Sequence, residues 1–374
     1  STSDKNSGKS FVIIQFDAKP AQAVISELKQ QGISLHDYVP DFAFGISDHY
    51  LWDAVSFEPE LDSDRRVYCT AAYNPSSKDF LDVAFLAKES LKYFSFEMPS
   101  VPFPYPSATV FNGAGGMEFP MIVNNGSAST KAGTVHLTSH ELCHQYLPFY
   151  MGTNERKYPF MDEGWAVMLP FDFQEHTAEG YRPRERYVEN YEEFAGNEFD
   201  IPIMIPSPTI SYRTYRTSAY NKPANAYEIL RNTLGDKLFL KAIQAYMERW
   251  NGKHPIPTDF FFTFNEITGQ DLNWFWKPWF YNFGYPDLAI NKIKSNKNSI
   301  TVEIKNIGSL PLPIKLQVMF KNEVIKEIYQ TADAWKSEKD TIELKIDGIK
   351  NYDAVILGSE LIPDVNSVDN VYFK

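Results

Sequence analysis

Apolar residues in the first third of the chain fall into short runs that turn residues separate. The β-branched and aromatic runs predict strands at FVIIQF, ISLHDYV, DFAFGIS, RVYCTAAYN and SATVFNG. PAQAVISELKQQG begins with Pro and ends in Gly, which is typical of a helix. A second helix is predicted at KDFLDVAFLAKESLKYFSFEM, where apolar residues recur at helical spacing. The region up to about residue 125 is therefore predicted to mix helices and strands.

The pattern changes twice further along the chain. From about residue 134 to 284 it is mainly helical: ANAYEILRNTLGDKLFLKAIQAYMERW divides at Gly235-Asp236, and TDFFFTFNEITG and DLNWFWKPWFYNFG each end in Gly. After Pro286 apolar and polar residues alternate in SITVEIKN, IKLQVMF, TIELKID and DAVILG, which predicts an antiparallel β-sandwich. We expect a short amino-terminal segment at 1–37, an α+β domain at 38–286 and a β-sandwich domain at 287–374.

Composition and charge narrow the class of protein. Hydrophobic residues make up 43% of the 374 residues, enough to form a substantial core. The formal net charge of −12 argues against nucleic-acid binding, because such proteins present basic faces to phosphates. We expect no membrane span, since no stretch of about 18 uncharged apolar residues occurs. Cys69 and Cys143 are too few for a disulfide framework.

The start of the chain bears on its localisation. Ser1 opens the polar run STSDKNSGKS without a preceding Met. A mature end left by export processing would look like this, because a signal peptide is removed. We expect an exported protein (periplasmic, cell-surface or secreted), with a cytoplasmic one as the alternative.

The strongest chemical signal is TSHELCHQY, which matches the pattern H-E-x-x-H. On a helix, residues four apart lie on one face, so His140 and His144 can direct their imidazoles at one ion. Glu141 lies next to the first ligand and can act as general base. Pro148 should end the helix soon after the second histidine. This arrangement predicts a catalytic metal site, although the motif alone also occurs by chance.

Glu163 is the candidate third ligand. Eighteen residues separate it from His144, and the segment from Gly152 to Pro159 is long enough to reverse the chain. A second helix that begins near Asp162 could then return beside the first. Two histidines and one carboxylate leave a fourth coordination position open, which is the catalytic arrangement of zinc. We therefore expect one Zn²⁺ ion that activates water for hydrolysis.

The chain resembles the gluzincin aminopeptidases, which include aminopeptidase N and leukotriene hydrolase. That family combines H-E-x-x-H with a glutamate in an N/D-E-G-F/W-A context eighteen residues on, as in Asp162-Glu163-Gly164-Trp165-Ala166. The resemblance spans roughly residues 38–288. It implies a thermolysin-like catalytic domain with a mixed α/β lobe and a helical lobe. The carboxyl-terminal region is similar to the β-sandwich of many bacterial members.

Two more elements carry the resemblance. GAGGMEFP is similar to the family's G-x-M-E-N motif, with Phe119 in place of Asn. Gly115, Gly116, Met117 and Glu118 are then implied to bind substrate, and Glu118 to hold its free α-amine. Tyr220, fifteen residues before Gly235, resembles the tyrosine of the family's Y-x-K-G element, with Pro223 in place of Gly. It is implied to stabilise the oxyanion of the tetrahedral intermediate.

One departure leaves alternatives open. Family members carry a large β-rich domain before the catalytic domain, whereas about 37 residues precede it here. The chain is then either a fragment of a longer protein or an enzyme with a simpler amine pocket. The expected function is a zinc aminopeptidase that acts on peptides. The alternatives are a thermolysin-like endopeptidase with an open cleft and a non-catalytic zinc-binding interaction protein.

Overall fold

The computed structural model describes residues 43–337 and 339–374. The strands predicted at FVIIQF and ISLHDYV, and the helix between them, lie outside the described residues. The described part is α+β, as predicted. Its first strand-rich section is a four-stranded sheet in the order β1-β2-β3-β4. Strands β1 and β2 are antiparallel, and β2, β3 and β4 are parallel. The strands are β1 (Leu51–Phe57), β2 (Val67–Tyr73), β3 (Ser107–Asn112) and β4 (Ile122–Asn125).

The strand expected at DFAFGIS is wrong in its described part, because residues 43–47 form no regular strand. The edge strand lies instead at Leu51–Phe57, which the sequence pattern did not single out. Most of this strand is exposed, and Leu51 and Trp52 are 46% and 57% exposed. An exposed edge strand has no need to alternate apolar and polar residues, so its sequence carries a weak strand signal.

The described residues form ten α-helices that cover the sheet and continue into a helical region. The helices predicted on either side of Gly235 and before Gly269 are confirmed. Gly269 ends its helix in the left-handed conformation (φ 67°), which glycine adopts without steric cost. The helices are α1 (Val83–Phe96), α2 (Lys131–Cys143), α3 (Glu163–Met168), α4 (Phe171–Thr177), α5 (Pro183–Glu192), α6 (Tyr212–Arg216), α7 (Lys222–Leu234), α8 (Asp236–Trp250), α9 (Pro257–Thr268) and α10 (Asn273–Trp276).

Short helical turns of other types connect these helices. Three π-helical turns lie at Gln145–Tyr150, Thr217–Asn221 and Lys277–Tyr281, and 3₁₀ turns lie at Lys78–Asp82, Pro159–Met161, Ser207–Thr209 and Ala332–Trp335. The first two π-helical turns adjoin the candidate site. None of the helices in the described ranges is both long and apolar enough to cross a lipid bilayer.

Residues from Leu288 onward form two antiparallel sheets, in agreement with the alternating pattern. One sheet has the order β11-β10-β7-β8 and the other β5-β6-β9. Their inward residues, such as Val302 and Leu316, are fully buried in a core shared with the helical region. The strands are β5 (Leu288–Asn296), β6 (Ser299–Asn306), β7 (Ile314–Phe320), β8 (Glu323–Gln330), β9 (Thr341–Asp347), β10 (Ala354–Leu357) and β11 (Val371–Phe373).

Hydrogen bonds join the helical region to the segments that connect the carboxyl-terminal strands. The indole nitrogen of Trp279 donates to the carbonyl of Pro311 (3.3 Å), and Glu192 accepts from the backbone of Asp364 (2.8 Å). These contacts fix the sheets against the helices. The domain limits at 37/38 and 286/287 remain predictions.

Candidate active site

Helix α2 carries the H-E-x-x-H residues. Thr130 caps its first turn by accepting a hydrogen bond from Gly133 N (3.1 Å). The helix ends at Cys143, and the backbone leaves helical geometry at Leu147 (φ −134°, ψ 99°), before Pro148. His140 and His144 are 8% and 0% exposed and lie on the same face. The α-helix thus ends one residue before the second histidine, which is its C-cap, and the predicted break in helical geometry before Pro148 is confirmed at Leu147.

Glu163 lies at the first residue of α3, which begins after the chain has reversed. The next residue, Gly164, lets α3 approach α7 closely, because a β-carbon there would come within 2.9 Å of Pro223 and Tyr227 side-chain atoms. Trp165 stacks on Tyr227 with ring centroids 3.7 Å apart. This packing fixes the orientation of Glu163 from the far side of the helix.

Three side-chain atoms converge where the sequence predicts a metal. His140 Nε2 and His144 Nε2 are 3.2 Å apart, and Glu163 Oε2 lies 3.3 and 3.4 Å from them. A tetrahedral zinc ion with bonds of about 2.0–2.1 Å has ligand-to-ligand distances of about 3.3–3.4 Å. Two imidazole nitrogens and one carboxylate oxygen are also ligands that zinc prefers. The three residues therefore fit a zinc ion in both spacing and chemistry.

Asp162 orients one of these ligands. Its Oδ1 lies 2.5 Å from His144 Nδ1 and accepts a hydrogen bond from it, which leaves Nε2 to face His140 and Glu163. Asp162 is 3% exposed. Its position next to Glu163 was visible in the sequence, but its role was not predicted.

The electrostatics of this cluster favour a positive charge. Burial by itself lowers the pKa of His144, but the carboxylates of Asp162, Glu118 and Glu163 outweigh it and raise that pKa well above its usual value. Conversely, burial raises the pKa of Glu163, yet His144 and His140 more than offset it, and the pKa is lowered. The negative potential of these carboxylates, which favours a protonated imidazole, would also stabilise a bound cation.

Glu141 is buried beside the ligands. Its Oε2 has no hydrogen-bond partner within the described ranges. Burial raises the pKa of this carboxyl to about 7, while His140 and His144 act in the opposite direction. A carboxyl group that titrates near neutrality suits a general base. The carboxylate also sets the shape of its surroundings, because a β-carbon on Gly116 would lie 2.5 Å from Glu141 Oε1.

Glu118 lies on irregular backbone rather than on a regular strand. Met117, the residue before it, forms a single β-bridge with Asn124, through hydrogen bonds of 2.8 and 3.0 Å. Met117 is 43% exposed, and nothing lies within 4 Å of where a side chain on Gly115 would begin. The carboxylate of Glu118 lies within 4.8 Å of ligand atoms of Glu141 and His144. The predicted substrate-binding segment therefore borders the three candidate metal ligands.

Gln145 holds this segment against α2. Its side-chain amide donates to the carbonyl of Phe119 (2.9 Å) and its oxygen accepts from the backbone of Met121 (2.7 Å). Gln145 is 0% exposed. The sequence signal was weak, since only its position after His144 hinted at a role.

Tyr220 reaches the cluster from the π-helical turn Thr217–Asn221. Its hydroxyl donates a short hydrogen bond to Glu163 Oε1, and its ring lies near that of His140, with centroids 6.2 Å apart. Burial raises the pKa of Tyr220, and the charge of Glu163 adds to this effect. The phenol therefore stays protonated and can donate. Two buried contacts of Lys222, to Asp200 (2.7 Å) and to the carbonyl of Gly284 (3.0 Å), fix the turn.

The structure brings all the predicted site residues into one region. The ligand atoms of His140, His144 and Glu163 converge, and Glu141 and Tyr220 lie beside them. Sequence reasoning missed Asp162 and Gln145, which act on the site through other residues. Glu155, whose carboxylate lies within 4.8 Å of those of Glu118 and Asp162, was also missed.

Comparison with known proteins gives two matches to family models. Residues 117–279 match the Peptidase family M1 domain, a range that contains Glu118, all three candidate ligands and Tyr220. Residues 1–48 match a Domain of unknown function (DUF8729), most of which lies outside the described residues.

Individual relatives match over part of their length. Aminopeptidase N of Lactococcus lactis subsp. lactis is 26% identical over 307 residues, which cover 74% of this chain and 36% of that protein. Puromycin-sensitive aminopeptidase of Caenorhabditis elegans is 22% identical over 196 residues, 50% of this chain and 21% of that protein. The chain thus spans about a third or less of the length of these relatives.

A solved structure shares the fold. Legionella pneumophila aminopeptidase A, in complex with aspartic acid, superposes with a TM-score of 0.65 at 16% identity. The match covers 81% of this chain and 36% of that one. At this identity the likeness concerns the fold alone.

Proposed function

Because this chain belongs to the M1 peptidase family, we propose that it is a zinc-dependent aminopeptidase that removes amino-terminal residues from peptides. The observation that carries the proposal is the triangle of His140 Nε2, His144 Nε2 and Glu163 Oε2, with sides of 3.2–3.4 Å. These three residues would hold the ion. When bound, zinc would polarise the scissile carbonyl and make water more acidic.

In this proposal Glu141 is the general base. Its buried carboxylate has an oxygen with no partner in the described part of the chain, so it can accept a proton from the attacking water. It then delivers that proton to the leaving amine. Asp162 contributes indirectly, because its hydrogen bond to His144 Nδ1 holds the imidazole in place.

Tyr220 and Glu118 act on the substrate. The phenol of Tyr220 donates its hydrogen bond to Glu163 in this structure, and in the proposed mechanism it turns to donate to the carbonyl oxygen as negative charge develops there. Glu118 binds the free α-amine, which aligns the first peptide bond with the general base. Gly116 allows this segment to pass close to Glu141.

The test compares aminoacyl p-nitroanilides with the same compounds acetylated on the amine, with and without a zinc chelator. We expect release of nitroaniline only from free-amine substrates, its loss on chelation and its return when zinc is restored. Equal hydrolysis of acetylated substrates would indicate an endopeptidase instead. Zinc binding without hydrolysis of either substrate would indicate a non-catalytic protein.

A further inference from the structure

A cavity of about 290 Å³ lies where the helices meet the carboxyl-terminal sheets. Helices α5 and α7 line one side of it, and β7, β8 and the segment between β10 and β11 line the other. None of the described residues around it belongs to the candidate active site. We propose that this cavity binds a free amino acid with an apolar side chain. Binding there does not depend on the proposed peptidase function.

Hydrogen bonds join the two sides of the cavity. The hydroxyl of Tyr329 on β8 donates to Oδ1 of Asn232 on α7 (2.5 Å), and both residues line the cavity. Glu192 of α5 accepts from the backbone of Asp364 (2.8 Å), in the segment that carries the lining residue Leu361. The cavity is therefore preformed, as ligand sites usually are, and its volume is close to the lower end of their range, about 300 Å³. This size suits a ligand no larger than a single amino acid.

Glu228 supplies an acceptor for an ammonium group. Its Oε1 accepts from Arg184 Nε (2.7 Å), whereas its Oε2 is buried and has no hydrogen-bond partner within the described part of the chain. Arg184 is already occupied, because its other nitrogens donate to Glu175 (2.6 Å) and to Asp172. A buried carboxylate oxygen without a donor costs free energy, which a donor would recover. An ammonium group in the cavity would be such a donor.

Lys315 supplies a positive charge on the opposite side. Its Nζ lies 3.6 Å from Glu327 Oε2, whereas a charge-assisted hydrogen bond of this kind is about 2.7–2.9 Å long. The same carboxylate oxygen accepts from Gln317 Nε2 (2.8 Å), so Glu327 is bonded without the lysine. Lys315 is therefore available to the carboxylate of a ligand.

Apolar side chains complete the lining of the cavity. They are Phe171, Val188, Ile229, Leu361 and Ile362. A carboxylate on one side, an ammonium on the other and apolar surface match the three parts of an apolar amino acid: its α-ammonium group, its α-carboxylate and its side chain. A simple amine or a simple carboxylic acid would leave one of the two charged side chains without a partner.

Calorimetry with L-leucine tests the site. 4-Methylpentanoate lacks only the ammonium group of leucine, and 3-methylbutylamine lacks only its carboxylate. Glu228→Gln removes the negative charge but keeps an oxygen that can accept from Arg184. Leu361→Trp, at a position that is 52% exposed, fills the cavity without altering the charged groups. Glu323→Gln, an exposed position on β8, is the matched control.

We expect the wild type to bind each analogue at least about 10-fold more weakly than leucine, because each analogue has lost a charge-assisted contact. Glu228→Gln and Leu361→Trp should each weaken leucine binding about 10–100-fold. Glu323→Gln should bind leucine as the wild type does. The same effects should be measured in the His140→Ala background, since His140 lies outside the cavity.

Loss of leucine binding in folded His140→Ala would place the amino acid in the candidate active site and overturn the proposal. So would equal binding of leucine and either analogue, no binding of leucine by the wild type, or wild-type affinity in Leu361→Trp. Circular dichroism shows whether Glu228→Gln is folded, and if it is not, Leu361→Trp and the two analogues decide the question. A wild-type protein that hydrolyses no peptide would refute the proposed function and leave this site standing.

Discussion

The candidate metal ligands and the segment proposed to bind the substrate amine, residues 115–118, adjoin each other but are built differently. His140, His144 and Glu163 lie on or at the ends of helices and are at least 92% buried, and side chains outside the triad hydrogen-bond to His144 and Glu163. Glu118 lies on irregular backbone and is partly exposed. In the proposed mechanism, helix packing therefore fixes the groups that act on the reacting atoms, whereas the groups that recognise the peptide end lie on loops.

This comparison predicts different kinetic consequences on the two sides. Substitutions in the buried cluster should lower kcat or zinc affinity, because they remove groups that act on the reacting atoms or on the ion. Substitutions in the loop segment should act mainly on KM for free-amine substrates. A buried-site variant that changes only KM, or a loop variant that lowers kcat or zinc affinity, would contradict this division.

The largest effect is expected for Glu141→Gln. Removal of the general base should lower kcat by about 10²–10⁴-fold while zinc remains bound, because the three ligands are intact. Steady-state kinetics and metal analysis on the same sample measure both quantities. Retention of wild-type kcat would show that another group accepts the proton.

Tyr220→Phe should follow, with kcat reduced by about 10²–10³-fold and KM little changed, since one oxyanion donor is lost. Tyr372→Phe, on β11 in the carboxyl-terminal sheet, is the control. A change in KM alone would mean that Tyr220 positions the substrate rather than stabilising developing charge.

Asp162→Asn tests the support of the cluster. We expect zinc affinity to fall about 10–100-fold, because the charged acceptor that orients His144 is lost. Competition with a chelator of known affinity gives the value. Unchanged affinity would contradict the orienting role.

Gln145→Ala tests the contact between helix α2 and the segment that carries Glu118, and it should have the smallest effect. The side chain makes two hydrogen bonds to the backbone on either side of Pro120, each worth about 1 kcal/mol. We expect KM for free-amine substrates to rise by about 3–10-fold while kcat changes less. A larger effect on zinc affinity than on KM would show that Gln145 belongs to the metal side.

The sequence predicted the parts of the site that local spacing determines. His140, Glu141 and His144 follow from the helical repeat, and Glu163 from a fixed distance to a second helix. Asp162 was missed although it precedes a ligand, because spacing does not reveal which neighbour faces the imidazole. Glu155 was missed because it comes near Glu118 only through the fold of the loop.

The elements of the fold that could be predicted are likewise those with strong local sequence patterns. The helices around Gly235 and the alternating strands of the carboxyl-terminal sheets carry strong local patterns and were predicted. The exposed strands Leu51–Phe57 and Glu323–Gln330 were not, since pairing with a neighbour rather than burial fixes them. The strand expected at DFAFGIS was wrong in its described part because aromatic content alone does not supply a pairing partner.

The central claim is that His140, His144 and Glu163 share one zinc ion, and metal analysis of purified protein tests it most directly. We predict about one zinc per chain in the wild type and in Glu323→Gln, and less than about 0.1 in His140→Ala and Glu163→Ala when circular dichroism shows that they are folded. A wild-type protein that binds no zinc, or ligand variants that keep a full complement, would contradict the account.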